Sequence, residues 1–235
     1  MARQPTQGEE ERAVRDFFDG AGAGFFVEVG ANHPTRNSQS WHLEQAGWAG
    51  ILVEPQPDLA AFLVTSRKAQ VFAVACSSPE HAGGTMPLHV AGPMSSLDRS
   101  AMAAGARAEY TLMVPIRTLD DILAEAGAEP PVDLVSIDVE GHELDVLRGF
   151  DLDRWRPRLI LLEDHVESLA RHRHLKRRGY RLVRRLGFNG WYVPANSSLH
   201  PDGRERFNIL RKYYLALPFR KLRNASRRLR GKAGG

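Results

Sequence analysis

The side chains best suited to chemistry are acids and imidazoles that closely follow two apolar segments: Asp138 and His142 after residues 132–137, and Glu163, Asp164 and His165 after residues 158–162. Short apolar segments of this kind are typical of buried strands. The carboxyl ends of neighbouring parallel strands meet at one edge of a sheet, so we expect these side chains to lie together. A positioned carboxylate or imidazole takes a proton from a bound hydroxyl, and histidine is matched to neutral pH. Asp138, His142 and His165 are therefore the predicted catalytic residues.

Further apolar segments predict a cofactor site beside these residues. Residues 25–32 read Phe-Phe-Val-Glu-Val-Gly-Ala-Asn, and residues 50–55 read Gly-Ile-Leu-Val-Glu-Pro. A small-residue turn lets backbone N–H groups approach a ligand, and the acid that ends the second segment can accept hydrogen bonds from ribose hydroxyls. A third apolar segment, residues 70–76, is expected to end near an adenine ring. The predicted cofactor contacts are Glu28, Gly30, Ala31, Asn32, Glu54, Cys76 and Ser77.

The first turn and Glu28 indicate which class of cofactor the site binds. The turn is not Gly-x-Gly-x-x-Gly, and the chain has no Gly-x4-Gly-Lys-Ser/Thr loop. A cradle for the phosphates of a dinucleotide or nucleoside triphosphate is therefore poorly supported. Glu28 would repel a phosphate but suits a cationic ligand end, such as the amino group of the methionine part of S-adenosylmethionine. We predict S-adenosylmethionine as the cofactor.

Three segments resemble the FkbM family of S-adenosylmethionine-dependent methyltransferases: FVEVGAN at residues 26–32, GWAGILVEP at 47–55 and VSIDVEGHELDVLRG at 135–149. The resemblance extends over residues 25–194. It implies a class I methyltransferase fold and O-methylation, commonly of sugar or polyketide hydroxyls. His33-Pro34 departs from the family, in which many members continue the first loop with an acid and a glycine. Because proline has no N–H donor, the contact of this loop with the methionine carboxylate differs from the family pattern.

Two ways of activating an acceptor hydroxyl are compatible with the resemblance. In the first, His142 or Asp138 is the general base. In the second, Asp138, Glu163 and Asp164 bind a divalent ion, Mg²⁺, which orients a sugar diol and lowers its hydroxyl pKa. Some sugar O-methyltransferases similar to this chain use a metal at matching strand ends. The structural alternative is that the acids near these strand ends stabilise the N-termini of the following helices.

Alternation of strand-like and helix-like segments predicts a doubly wound, mostly parallel Rossmann-like α/β sheet that ends in an antiparallel hairpin. We expect an N-terminal lead-in at residues 1–24, a methyltransferase domain at residues 25–194 and a basic tail at residues 195–235. The predicted segments include a helix at residues 37–46, a third strand at 70–76 and a helix at 166–178.

The net charge of +4 conceals a strong asymmetry along the 235 residues. Residues 1–170 contain 13 Lys/Arg and 26 Asp/Glu, whereas residues 171–235 contain 19 Lys/Arg and 2 Asp/Glu. A concentrated positive field attracts polyanions and anionic lipid headgroups. Aromatic and leucine residues interleaved with cations at residues 211–230 favour peripheral contact with a membrane. Nucleic acid is a less favoured partner because no RNA-binding module is recognisable, and a solvated, disordered tail is the third interpretation.

Localisation and function follow from the whole sequence. A single cysteine, no apolar N-terminal signal region and no apolar stretch of about 20 residues predict a cytoplasmic protein, peripheral to the inner membrane surface if the tail binds lipid. The leading hypothesis is an O-methyltransferase that acts on a hydroxyl of a sugar, glycan, glycolipid or secondary metabolite. The alternatives are an RNA methyltransferase and a non-catalytic Rossmann-like protein that binds membrane or nucleic acid through its tail.

Overall fold

A computed structural model of the chain describes residues 7–99, 108–166 and 168–217. The strands are β1 (Phe25–Val29), β2 (Ala49–Val53), β3 (Gln70–Phe72), β4 (Ala75–Cys76), β5 (Thr85–Val90), β6 (Tyr110–Arg117), β7 (Leu134–Ile137), β8 (Leu159–Glu163), β9 (Tyr180–Leu186) and β10 (Asn189–Pro194). Seven of them form the central sheet in the order β3-β2-β1-β7-β8-β10-β9, while β4, β6 and β5 form a small second sheet.

The helices are α1 (Gln7–Phe17), α2 (Trp41–Gln45), α3 (Pro57–Ser66), α4 (Leu119–Glu125), α5 (Glu143–Arg148), α6 (Leu152–Trp155), α7 (Ala170–Arg177) and α8 (Gly203–Ile209), and a π-helical turn at Leu210–Leu215 follows α8. Within the described ranges, no helix has the length and apolar character needed to span a bilayer.

The central sheet confirms the Rossmann-like prediction. Strands β3, β2, β1, β7 and β8 are parallel, and β10 is antiparallel to both of its neighbours, β8 and β9. Parallel strands need crossover connections, which here are the helices that cover the two faces. The hairpin formed by β9 and β10 inserts the single antiparallel strand that the sequence predicted.

Both faces of the sheet are buried, as expected for parallel strands with apolar residues at successive positions. On one face, Val27 and Ile51 pack in a cluster that includes side chains of α4, α5 and α7. On the other face, Phe26 and Leu52 pack with side chains of α1, α2 and α3. The helices thus hold the strands from both sides and fix the edge at which the strands end.

Three predicted elements differ from the structure. The strand expected at residues 70–76 is two strands, because the chain bends at Val74 and β4 pairs with β6 of the second sheet. The helix expected at residues 37–46 begins at Trp41, after Asn37 has adopted a φ of 61°. The helix expected at residues 166–178 begins at Ala170, since Val166 has a φ of 54° and is held in a turn. Positive φ values interrupt a helix.

Part of the predicted tail packs on the domain. Helix α8 begins with a capping box formed by Asp202 and Glu205, and the Glu205 carboxylate lies 2.6 Å from Arg184 Nε of β9. Tyr213, in the π-helical turn, is fully buried and belongs to the main core. The predicted tail is therefore packed on the domain as far as it is described, to residue 217, and its remainder, residues 218–235, lies outside the described residues.

A buried network of charged and polar groups supports the segment between β1 and α2. Arg67 lies 2.6 Å from Glu44, and the two side chains are 1% and 3% exposed. Arg67 also donates to the hydroxyls of Ser38 and Ser40, and both hydroxyls donate to the carboxylate of Glu28. Every member thus has several partners, which is what makes burial of charge tolerable.

Replacing Arg67 should destabilise the protein strongly. Arg67→Ala leaves the Glu44 carboxylate buried without its cation, and we expect the free energy of unfolding to fall by about 3–5 kcal/mol. The matched control is Arg178→Ala, which removes an exposed pair with Asp153 and should cost less than about 1 kcal/mol. Urea unfolding followed by circular dichroism measures both. Equal losses for the two variants would contradict the assigned role of Arg67.

Candidate active site

A cavity of about 720 Å³ lies at the carboxyl ends of β1, β2, β7 and β8. Its wall contains the last residues of these strands, the turns that follow them, one residue of α1 and part of the loop at residues 92–97. Ligands of open α/β sheets bind at this edge, and cofactor sites have volumes of this order. The cavity is therefore the candidate active site.

The turn after β1 is packed against the loop that follows β7. Gly30 has a φ of 83°, and a Cβ built at this position would lie 1.8 Å from the Asp138 carbonyl oxygen. No other residue type fits this contact without moving the backbone. Gly30 thus brings the first turn and the start of the β7 loop together at the cavity wall.

The N–H groups of this turn are oriented differently from our expectation. Gly30, Ala31 and Asn32 line the cavity as predicted, but the first two donate to the Val53 carbonyl at 2.9 and 3.1 Å. The Asn32 N–H donates to the Glu54 carboxylate at 2.8 Å. The expectation that these three N–H groups face a ligand is corrected, because they fasten β1 to the end of β2.

Glu54 occupies the position expected for a ribose contact. It lines the cavity, and its second carboxylate oxygen accepts a hydrogen bond from the Gln56 N–H at 2.9 Å. Burial raises its pKa, although the backbone hydrogen bonds from Gln56 and Asn32 oppose the rise. A carboxylate oxygen has more than one acceptor site. Glu54 can therefore accept ribose hydroxyls while it holds the two strand ends.

Glu28 does not face the cavity. Its carboxylate accepts hydrogen bonds from Ser38, Ser40 and the Gln39 N–H, the last at 2.7 Å. Burial raises its pKa, and these hydrogen bonds and Arg67 oppose the rise. The side chains of successive residues in a strand point to opposite faces, which is why this acid lies on the α2 side of the sheet. The predicted contact of Glu28 with the cofactor is replaced by a structural role.

The predicted adenine contacts divide between the cavity and the interior. Cys76 lines the cavity, and burial raises the pKa of its thiol to about 12, so the thiol stays uncharged. Ser77 is fully buried, and its hydroxyl lies 2.9 Å from His142 Nε2. His142 is itself buried behind the wall, and burial lowers its pKa. Neither Ser77 nor His142 lines the cavity, so the structure places the predicted base His142 away from the candidate site.

Four ionisable groups meet at the ends of β7 and β8. Asp138, Glu140 and Glu163 line the cavity, and His165 Nε2 lies 3.4 Å from Glu163 Oε1. Asp138 is exposed at the cavity surface, although protein surrounds most of its carboxyl group. Desolvation, followed by repulsion from Glu163, raises its pKa well above the usual range. The predicted grouping of Asp138, Glu163 and His165 is thus present, and Glu140 joins it.

The other three groups have distinct protonation preferences. Burial disfavours ionised Glu163, but hydrogen bonds to His165 and Asp138 outweigh this effect and lower its pKa. The same hydrogen bond to Glu163 raises the pKa of His165. Burial and repulsion from Glu163 raise the pKa of Glu140 to about 7. Glu140 therefore changes its charge near neutral pH, whereas Glu163 favours the anion and His165 the cation.

Of the three oxygen ligands predicted for Mg²⁺, Asp138 and Glu163 lie together and Asp164 does not line the cavity. Asp164 is buried, and one of its oxygens accepts hydrogen bonds from Val166 N at 2.7 Å and from Arg171 at 2.9 Å. Glu140, Glu163 and His165 place donor atoms within 4.8 Å of one another, but Mg²⁺ prefers oxygen ligands alone. Hydrogen bonds already join Glu163 to its neighbours, so the cluster resembles a proton-handling site.

Next to Glu163 and His165, the cavity wall contains residues that the sequence did not reveal. Glu10 of α1 is buried and accepts hydrogen bonds from Gln39 at 3.2 Å, Asn189 at 3.0 Å and Trp191 at 3.3 Å. Phe188, in the turn between β9 and β10, is 43% exposed beside them. These residues are far apart in the chain, so only the fold brings them together.

Similarity to known proteins agrees with this site. The family model described as methyltransferase FkbM domain matches residues 28–182, which include the four strand ends and most of the cavity wall. The chain belongs to the FkbM methyltransferase family. The match covers the end of β1 and all of β2, β7 and β8, and leaves α1 and β10 outside.

Individual relatives are more distant. A protein of Beauveria bassiana (strain ARSEF 2860) called Methyltransferase 1 is 38% identical over 63 residues, which are 26% of this chain and 25% of that protein. The similarity thus spans a quarter of the relative's length. The structure of methyltransferase FkbM from Methylobacillus flagellatus KT has a TM-score of 0.46 at 15% identity, over 73% of this chain and 43% of the other. The N-terminal domain of human METTL16 in complex with SAH gives 0.43 at 14%, over 82% and 70%.

The cavity of this FkbM methyltransferase fits S-adenosylmethionine. Glu54, the predicted ribose contact, lines the cavity, as do the uncharged side chains of Cys76 and Leu88. The acids at the ends of β7 and β8 lie on the same wall, where a cationic sulfonium is favoured. Size, the ribose acceptor and charge therefore agree with the cofactor that a methyltransferase requires.

The pKa of Glu140 predicts a pH-dependent stability difference. The folded-state pKa of about 7 lies above the ordinary value of 4.5, so the folded protein holds this proton more tightly than the unfolded chain does. The resulting stabilisation is complete below about pH 4.5 and is lost as the pH rises through about 7. Wild type should therefore lose stability relative to Glu140→Gln over this range. Urea unfolding of both proteins without cofactor tests this, and a difference that is constant with pH would contradict it.

Proposed function

We propose that this protein is an S-adenosylmethionine-dependent O-methyltransferase whose acceptor is a hydroxyl of a sugar, glycan, glycolipid or secondary metabolite. The observation that carries the proposal is Glu140, a carboxylate in the cavity wall with a pKa of about 7. A general base is most effective when its pKa lies near the working pH. A hydroxyl that is to be methylated must lose its proton, and Glu140 can receive it.

Electrostatics favours Glu140 over its neighbours as the base. Desolvation and repulsion from Glu163 raise the pKa of Asp138, which favours its protonated form over that of Glu163. The raised pKa of His165 favours the imidazolium, which has no free lone pair. The anion of Glu163 is held by these two donors. Among the four groups, Glu140 alone both lies in the cavity wall and changes its protonation state near neutral pH.

The chemistry of the cavity wall beside Glu163 suits a hydroxylated acceptor. Gln39 and Asn189 offer neutral amides, and Glu10 offers a carboxylate, all within the cavity wall. Amides both donate and accept, as sugar hydroxyls do. The exposed ring of Phe188 provides an apolar face against which the C–H side of a sugar can pack. A sugar is therefore the acceptor class that we favour.

The mechanism is a direct displacement that the protein aligns. When bound, S-adenosylmethionine supplies a methyl group on a positively charged sulfur. Glu10, Gln39 and Asn189 would hold the acceptor with its hydroxyl directed at the methyl group that the cofactor would supply. Glu140 takes the hydroxyl proton as the carbon–oxygen bond forms. Ser96 donates a hydrogen bond to the Glu140 carbonyl at 2.7 Å and so positions the base from the loop at residues 92–97.

Turnover with a panel of acceptors tests the proposed function. We expect formation of S-adenosylhomocysteine with free sugars, nucleotide sugars or hydroxylated polyketides, and a methyl ether in the product by mass spectrometry. Single-stranded RNA is the comparison acceptor for the alternative function. Methyl incorporation into RNA, or methylation at nitrogen or carbon, would overturn the proposal.

Substituting Glu140 should affect chemistry and leave cofactor binding intact. Glu140→Gln keeps the shape of the side chain but cannot accept the proton, and kcat should fall by about 10²–10⁴-fold. In wild type, kcat should rise with pH through about 7, because the base must be ionised. Calorimetry should give nearly the same S-adenosylmethionine affinity for both proteins. Glu109→Gln, an exposed acid on the surface, is the matched control and should retain wild-type kcat.

Substituting Glu10 should affect the acceptor selectively. In Glu10→Gln, an amide replaces the carboxylate that accepts three hydrogen bonds. The weaker hydrogen bonds should loosen this part of the cavity wall, and we expect the acceptor KM to rise on the order of tenfold. The affinity for S-adenosylmethionine should stay unchanged. Glu9→Gln, exposed in the same helix, is the control. A larger effect on the cofactor than on the acceptor would exclude this role.

A further inference from the structure

Exposed apolar side chains concentrate in α8 and the π-helical turn that follows it. Among the described residues, four large apolar or aromatic side chains within nine positions are 47–61% exposed: Phe207, Leu210, Tyr214 and Leu215. We call these four residues the terminal face. In the other described parts of the chain, such side chains are exposed singly or in pairs, as on most protein surfaces.

The terminal face belongs to an element that is firmly attached. Ile209, Tyr213 and Leu217 recur every four residues and face the protein, where Ile209 packs against the core and Tyr213 is fully buried. The capping box at the start of α8 and the 2.6 Å contact between Glu205 and Arg184 fix its other end. The exposure of the terminal face is therefore a property of a packed helix and not of a loose end.

Positive charge accompanies the terminal face. Arg204, Arg206 and Arg211 are exposed on the same helical segment, and its one acid, Glu205, is engaged with Arg184. The next 18 residues, 218–235, contain seven Lys/Arg and no Asp/Glu. Apolar groups beside cations match a surface with an anionic outer layer and an apolar interior.

We propose that the terminal face docks on the surface of an anionic lipid bilayer. Its leucine and aromatic side chains enter the boundary between headgroups and acyl chains, and the neighbouring cations lie among the lipid phosphates. Nucleic acid would use the cations but would leave Leu210 and Leu215 without an apolar partner. The arrangement would keep the enzyme beside hydroxyl acceptors that are carried on lipid, whatever acceptor the cavity takes.

Vesicle co-sedimentation of the full chain tests the proposal. We expect wild type to bind vesicles of phosphatidylcholine with phosphatidylglycerol, and to bind phosphatidylcholine alone weakly. The variant Phe207→Gln/Leu210→Gln/Leu215→Gln should bind the anionic vesicles on the order of 100-fold more weakly. Glutamine keeps helix propensity, and circular dichroism with thermal melting verifies that the variant is folded. The control Val64→Gln/Tyr110→Gln/Met113→Gln removes exposed side chains elsewhere and should bind as wild type.

Several outcomes would overturn the proposal. In the first, the folded triple variant binds anionic vesicles as wild type does. In the second, wild type binds neutral and anionic vesicles equally. In the third, wild type self-associates or binds single-stranded RNA through the terminal face, whereas its vesicle binding does not depend on the terminal face. Sedimentation velocity and RNA titration of the same two variants detect these cases. Weaker vesicle binding at high salt would support the contribution of the cations.

Discussion

The structure depends on how the carboxylate of Glu28 and the guanidinium of Arg67 are held inside the fold. Both are buried, and neither is stable there alone, because desolvation of a charge costs several kcal/mol. Ser38 and Ser40 lie between them and join the acid to the cation. The segment that precedes α2 is thereby forced to follow the shape of the network. This segment places Gln39 in the cavity wall. The buried charges of Glu28 and Arg67 therefore determine which side chain lines the cavity at this point.

A second constraint is the crowding of like charges at the ends of β7 and β8. The sheet places Asp138 and Glu163 on adjacent strands, and the acids cannot all ionise at that separation. Protons are distributed unequally among these groups. The raised pKa values of His165 and Asp138 favour the imidazolium of His165, beside Glu163, and the protonated form of Asp138. Repulsion from Glu163 raises the pKa of Glu140, and attraction to His165 opposes the rise. Catalytic character here arises from the arrangement and not from an unusual residue.

Much of the fold follows from local patterns, but the site follows from them only in part. The apolar runs of β1, β2, β7 and β8 and the acid Glu54 could be recognised because each is a short segment with one meaning. The fates of Glu28 and Asp164 could not, since the face to which a strand-end acid points depends on register and on a distant arginine. Glu140 follows Asp138 by two residues, so its place near the end of β7 could be predicted from the sequence. Glu10 gave no signal, because its partners lie up to 181 positions away.

The antiparallel strand β10 has a consequence for how such an enzyme can diversify. Because β9 runs parallel to β8 and β10 returns beside it, the turn at Gly187 and Phe188 emerges at the same edge as the cofactor strands. This turn joins neighbouring strands, so residues can be inserted there without rerouting the chain or moving a strand. The strands that form the predicted cofactor site and the turn that we propose to contact the acceptor are therefore separate segments of the chain. A lineage can exchange one substrate for another at this hairpin while its cofactor machinery stays unchanged.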